Sequence, residues 1–254
     1  MLEKNSNIIY YDAHFHYCDS INSETFIKNN YISGCTTALN QNDWYFQETC
    51  DEKFLKSYGI HPQNVSISNL ENELTFIENL IHQNKLKIIG EIGFDFFNEK
   101  DRNNKELQSV FFISQIELAI KYNLPVIIHC RKANEKLFEY SNLLKKLPSV
   151  LLHSFMGNSL EAQSLLNKNV NYFFSFGKQM MNNNKKVIDC VINLPIEKLL
   201  LETDAPFQTL KNETKTLNTD ITKIYDYAQK LRNQENEGEF FKIIKNNYEQ
   251  MFII

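Results

Sequence analysis

Short apolar, β-branched or aromatic runs recur along the chain, each closing on a polar or ionisable residue and each followed by a stretch with helical spacing. The runs predict strands at Ile8–His16, Ile32–Leu39, Phe54–His61, Leu86–Asp95, Pro125–His129, Val150–His153, Val170–Phe176 and Leu199–Asp204. Helical spacing predicts helices at Asn69–Asn84, Lys105–Asn123, Leu160–Asn167, Asp220–Arg232 and Glu239–Phe252. In the second of these, Leu107, Phe111, Ile113, Ile116, Leu118, Ala119 and Ile120 form an apolar stripe. The second strand is the weakest, because ISGCTTALN holds Gly34 and alternates little. The polar stretches Asn182–Lys186 and Leu210–Asp220 are too short to be linkers and read as loops or helix starts, so one domain over residues 1–254 is expected.

Alternating strands and helices fit either a doubly wound sheet or a barrel. The ionisable residues favour the barrel. Five of the six histidines end apolar runs, namely His14, His16, His61, His129 and His153. Histidine does not favour strands, whereas the strand C-terminal ends of a parallel barrel share one face where active sites assemble. The expected fold is a TIM-type (β/α)₈ barrel.

The segment Asp12-Ala-His14-Phe-His16 places three polar side chains on one side of a strand, so two imidazoles can chelate a cation with Asp12 supporting them from behind. Glu91 lies between two Ile-Gly pairs, where a carboxylate is costly without positive partners. A bridge between two cations would neutralise it. His129 and His153 each follow a branched apolar run. Either one alone would read as a core imidazole bonded to backbone, but two in successive strands after the first pair point to ligands. Asp204 ends the last strand before Pro206, as a ligand or as the base that orients and deprotonates water, and Glu202 shares its strand parity. His61 reads equally as a substrate contact, an acid or a strand cap, while Asp95 reads as a ligand, a substrate contact or a loop support. Arg131 suits forked contact with phosphate or carboxylate, and His82 a solvated surface position.

Four imidazoles and two carboxylates exceed the needs of one tetrahedral zinc and suit two divalent cations about 3.5 to 4 Å apart, Zn²⁺ or Mn²⁺ by affinity, with Mg²⁺ also open. The formal net charge is −4, and arginine occurs only at positions 102, 131 and 232, which argues against a basic-patch nucleic-acid module. Cys18, Cys35, Cys50, Cys130 and Cys190 are an odd set without CxxC spacing and read as reduced thiols. With no signal-like start and no long apolar run, a cytoplasmic protein without membrane or obligate protein partner is expected.

The segments DAHFH, GIHP, GEIGFD, PVIIHCRKA, LLHSF and ETDAP, in this order and spacing, resemble the TatD-type deoxyribonucleases of the amidohydrolase superfamily across nearly the whole chain. The resemblance implies a (β/α)₈ barrel with a divalent metal centre and hydrolysis of phosphodiesters from a 3′ end of DNA, single-stranded or frayed. It implies ligands at His14, His16, Glu91, His129, His153 and Asp204; the residues themselves point to Glu91 and Asp204 as catalytic and to His61, Asp95 and Arg131 as substrate contacts. Two departures bear on substrate. Gln63 stands where the family often has a second histidine, and FQTLKNETKTLNTD replaces a basic loop after ETDAP. An amide or ester hydrolase, such as an aminoacyl-tRNA deacylase, is the alternative enzyme reading. A metal-binding scaffold without turnover is the non-enzyme reading, and the intact ligand set argues against it.

Overall fold

A computed structural model describes residues 8–17, 27–66, 68–234 and 236–252. Eight strands form where the apolar runs lie: β1 (Tyr10–Phe15), β2 (Ile32–Ala38), β3 (Phe54–Tyr58), β4 (Ile89–Asp95), β5 (Val126–Arg131), β6 (Val150–Leu152), β7 (Tyr172–Phe176) and β8 (Leu199–Leu201). They pair in parallel in sequence order. The ring closes through backbone bonds from Asp204 N to His14 O at 2.9 Å and from His16 N to Ala205 O at 2.8 Å. Eight parallel strands therefore make a nearly closed barrel with helices between them, as the alternation and the placement of the histidines together predict.

The outer helices are α1 (Gln41–Gln47), α2 (Leu70–His82), α3 (Glu99–Asn103), α4 (Lys105–Tyr122), α5 (Asn134–Glu139), α6 (Ser141–Leu144), α7 (Ser159–Leu166), α8 (Lys178–Met181), α9 (Lys185–Asn193), α10 (Ile221–Leu231) and α11 (Glu237–Phe252). The polar stretch around Asn184 is a helix start: its side chain caps α9. Among the described residues, no helix is long and apolar enough to cross a membrane. His82 is exposed, as expected, and its Nε2 lies 2.9 Å from the Tyr122 hydroxyl.

One reading needs correction. The stripe expected on α4 is only partly its buried face, for Leu107, Ile113, Leu118 and Ile120 are half-buried whereas Gln108 and Gln115 are fully buried beside Phe111, Ile116 and Ala119. Apolar spacing misses this because the deepest positions are spent on hydrogen bonds. The weakness of β2 also has a cause. A Cβ on Gly34 would lie 2.3 Å from Asp12 O, so the glycine lets β1 and β2 approach.

Candidate metal centre

The strand C-terminal ends open on a cavity of about 560 Å³ lined by His16, His61, Glu91, His129, His153 and Asp204 among others. His14 is fully buried beneath it. Thr37 Oγ1 lies 3.1 Å from His14 Nδ1, which turns Nε2 toward Glu91 Oε1 at 3.0 Å, a buried nitrogen with no aligned hydrogen bond. His153 Nε2 approaches the same oxygen at 2.7 Å. The other oxygen, Oε2, lies 3.3 Å from His61 Nε2. Glu91 thus offers one oxygen to each of two groups of donors.

The first group, His14, Glu91, His153 and Asp204, is wholly buried; the second, His61, Glu91 and His129, is more open. In each, the donor atoms lie within 4.8 Å of one another, so each group is able to hold a cation. His16 joins the first group from its edge, with Nε2 3.3 Å from Asp204 Oδ1 and Nδ1 2.9 Å from Thr37 O. The donors suit a divalent cation: imidazoles supply neutral nitrogens, and a buried carboxylate set among them has charge to share.

Electrostatics follow from the crowding. Burial opposes ionisation of Glu91, but His153 and His14 hold its carboxyl well below the ordinary range. Burial, reinforced by neighbouring histidines, presses His14 down to about 4 and His61 to about 3. Burial works against the His153 imidazolium too, yet Glu91 raises it to about 9.

The sequence-predicted residues come together with some changes of role. His61 does not end a strand; β3 stops at Tyr58 and the histidine caps the turn Pro62–Asn64, with Nδ1 accepting from Gln63 N at 3.3 Å. That capping aims Nε2 at Glu91, placing His61 with the ligand-capable donors. Asp95 is fully buried behind His129, whose Nε2 lies 3.3 Å from Oδ2, and it supports the following loop by accepting from Phe97 N at 2.9 Å. Gln63 donates to Asp95 Oδ2 at 2.7 Å. Arg131 stands exposed at the mouth with its guanidinium 3.5 Å from the centre of the Phe97 ring.

Asp12 and Glu202 act differently from their strand-parity readings. Asp12 accepts from Thr203 N at 2.9 Å and Thr203 Oγ1 at 2.6 Å, tying the exit of β8 to β1 rather than touching an imidazole ring. β8 ends at Leu201, so Glu202 and Asp204 lie in a turn where parity no longer applies, and Asp204 has φ 51°. Glu202 faces His153 Nδ1 at 3.9 Å and accepts from Ser175. Burial raises it to about 7.

Helical periodicity does not reveal Gln108 and Gln115 as supports. Gln115 accepts from Ile60 N at 2.6 Å and donates to Ile60 O at 3.3 Å; Gln108 accepts from Asp95 N at 2.9 Å and donates to Asp95 O at 3.1 Å. Each amide satisfies both backbone groups of one residue, beside His61 in one case and at Asp95 itself in the other. The available signal is a pair of glutamines set two helical turns apart among apolar residues.

A sequence profile of the TatD-related DNases matches residues 11–253. The chain belongs to the TatD-related DNase family. It is 35% identical over 156 residues to the uncharacterized metal-dependent hydrolase YabD of Bacillus subtilis (strain 168), covering 59% of this chain and 58% of that protein. It is 32% identical over 150 residues to the 3′-5′ ssDNA/RNA exonuclease TatD of Escherichia coli (strain K12), covering 59% of this chain and 56% of that protein. The matches thus span less than two thirds of these curated relatives. Among solved structures, the TatD homologue YjjV of Escherichia coli K12 superimposes with a TM-score of 0.76 at 23% identity, covering 87% of this chain and 86% of that one. A TatD-family hydrolase from Entamoeba histolytica gives 0.73 at 18% identity over 96% and 98%. These likenesses show the shared fold.

Proposed function

We propose that the chain is a metal-dependent phosphodiesterase that holds two divalent cations, Zn²⁺, Mn²⁺ or Mg²⁺, and releases nucleotides from the 3′ end of single-stranded or frayed DNA. The observation that carries this reading is Glu91, whose Oε1 faces His14 and His153 and whose Oε2 faces His61. His14, His153 and Asp204, edged by His16, would hold one cation, and His61 with His129 the other. The bound cations would supply Lewis acidity toward a phosphoryl oxygen and acidify the attacking water.

The protein groups do the positioning. Thr37 turns His14, Asp95 backs His129, and Asp204 at the cavity wall orients the water and accepts its proton. Arg131 at the mouth meets a phosphate further along the strand, propped by Phe97. A net charge of −4 leaves most of the positive charge at the site to the cations. Relatives named 3′-5′ ssDNA/RNA exonucleases support the substrate class. Cys35, Cys50, Cys130 and Cys190 are free thiols, which supports a cytoplasmic setting; Cys18 lies outside the described residues.

The test is a substrate panel with Mn²⁺- or Zn²⁺-reconstituted protein whose metal content is measured by elemental analysis. The expected result is about two cations per chain and a descending ladder from a 5′-labelled single strand. Internal cuts alone, or hydrolysis confined to aminoacyl-tRNA, would overturn the reading.

A further inference from the structure

Ser154 follows His153 in left-handed backbone, φ 50°, and lines the cavity with Glu91 and Asp204. Two amides converge on its hydroxyl oxygen: Gln179 Nε2 at 2.6 Å and Gln208 Nε2 at 2.7 Å. Neither amide can be turned round. Gln179 Oε1 accepts from Gly177 N at 3.0 Å, which leaves its nitrogen for Ser154. Gln208 Nε2 has two hydrogens, which serve its two nearest acceptors, Ser154 and Asp204 Oδ2 at 2.8 Å; with Glu202 Oε1 also only 3.2 Å away, an amide oxygen there would face two carboxylates.

A hydroxyl has two lone pairs and one hydrogen. Both lone pairs of Ser154 are taken by amide donors, and among the described residues its own hydrogen finds no acceptor. The remaining direction is the cavity that Ser154 lines. We propose that Ser154 is a substrate-binding donor whose O–H is aimed by Gln179 and Gln208 at an anionic nonbridging oxygen of the bound phosphodiester. The inference rests on the phosphodiester reading above.

The support behind this donor is fixed before substrate arrives. Gln208 sits at φ 54° in the loop after β8, and Thr216 holds that loop through its N on Pro206 O at 3.0 Å and its Oγ1 on Gln208 O at 3.3 Å. Fully buried Lys178 pins the loop's far end, with Nζ 2.5 Å from Glu213 Oε2 and 2.7 Å from Asp220 Oδ2. The loop without arginine thus contributes an amide that orients a neutral donor. A donor locked in place costs no reorganisation when charge develops on the phosphoryl oxygens.

The test compares wild type with Ser154→Gly and Ser154→Cys in the full, Mn²⁺-loaded chain. Glycine suits the left-handed backbone and removes the hydroxyl, while cysteine keeps the shape with a weak donor. Three quantities are read: kcat/KM on bis(p-nitrophenyl) phosphate and on a labelled oligonucleotide, calorimetric binding of inorganic phosphate, and cation affinity by chelator competition. Ser154→Gly is expected to lose about 10- to 100-fold in kcat/KM and in phosphate binding, with cation affinity held within about twofold and Ser154→Cys intermediate. Unchanged phosphate binding in Ser154→Gly overturns the proposal. So does an equal loss of cation affinity, which would mean that Ser154 only props Asp204 through Gln208. If wild type cleaves no phosphodiester, the functional reading fails, and the phosphate titration still decides whether Ser154 donates to a phosphoryl oxygen.

Discussion

On the Oε1 side of Glu91, His14, His153 and Asp204 are buried and set on β1 or in the turns just after β6 and β8, with Thr37 fixing His14 and Gln208 fixing Asp204. On the Oε2 side, His61 and His129 are half-buried, His61 on a short turn and His129 on β5; Asp95 touches His129 directly, while Gln115 braces Ile60 beside His61 and Gln63 braces Asp95. One side is wholly buried and the other is partly open to the cavity. Donors packed on all sides lose little freedom when a cation binds, and more open donors lose more. On the two-cation reading proposed above, the same carboxylate serves a tight site and a more exchangeable one.

The strongest way to break this comparison is to remove what the two sides share. Glu91→Gln keeps the shape and deletes the charge, so both sites should empty together and kcat/KM should fall on the order of a thousandfold, while the metal-free variant keeps a native fold. Elemental analysis, single-strand hydrolysis and circular dichroism check the three points. A variant that retains one cation and turns over near wild-type rates would show that the sides do not depend on Glu91.

Proton linkage sharpens the comparison. His153 is held up to about 9 by Glu91 against the cost of burial, and His61 is pressed down to about 3 by burial and His129. In metal-free protein the His153 contribution to stability is complete below its ordinary pKa near 6.5 and is lost as pH rises through about 9. The His61 contribution has the opposite sign: present above 6.5, it is lost as pH falls toward about 3. A cation on the Oε1 side must displace the His153 proton, so its affinity should rise about tenfold per pH unit up to pH 9, whereas His61, pressed down to about 3, adds no such slope to the Oε2 side above pH 6.5. Chelator-competition titrations at several pH values measure both slopes, and equal slopes would erase the distinction.

The smallest expected effect is confined to the Oε2 side. Gln115→Leu leaves the buried N–H and C=O of Ile60 without their partner, at a cost of about 1–3 kcal/mol. Denaturant melts should show that loss, and cation affinity should weaken for the more open site only. Weakening of both sites would mean that α4 braces the whole mouth.

All eight strands are legible because a parallel strand buried on both faces must be a short branched-apolar run, as in VIIHC at 126–130 and VLLHS at 150–154. The histidines are legible because a polar residue closing such a run lands at the open end of the barrel. The apolar stripe on α4 misleads because hydrophobic spacing reports average burial, and the helix spends its deepest positions on Gln108 and Gln115 to satisfy backbone groups across the interface. Parity misleads at Glu202 and Asp204 because β8 ends at Leu201, ahead of the turn that aims Asp204 with φ 51°.

What the sequence determined by itself is the alternation of elements and the inventory of donors, since local pattern and residue chemistry are properties of short segments. Only the tertiary structure decided how those donors divide: that the two oxygens of Glu91 face different imidazoles, that His61 belongs with His129, and that Gln179 and Gln208 meet at Ser154. These contacts join residues 25 or more positions apart, and no local periodicity carries their geometry; closure of the barrel sets it.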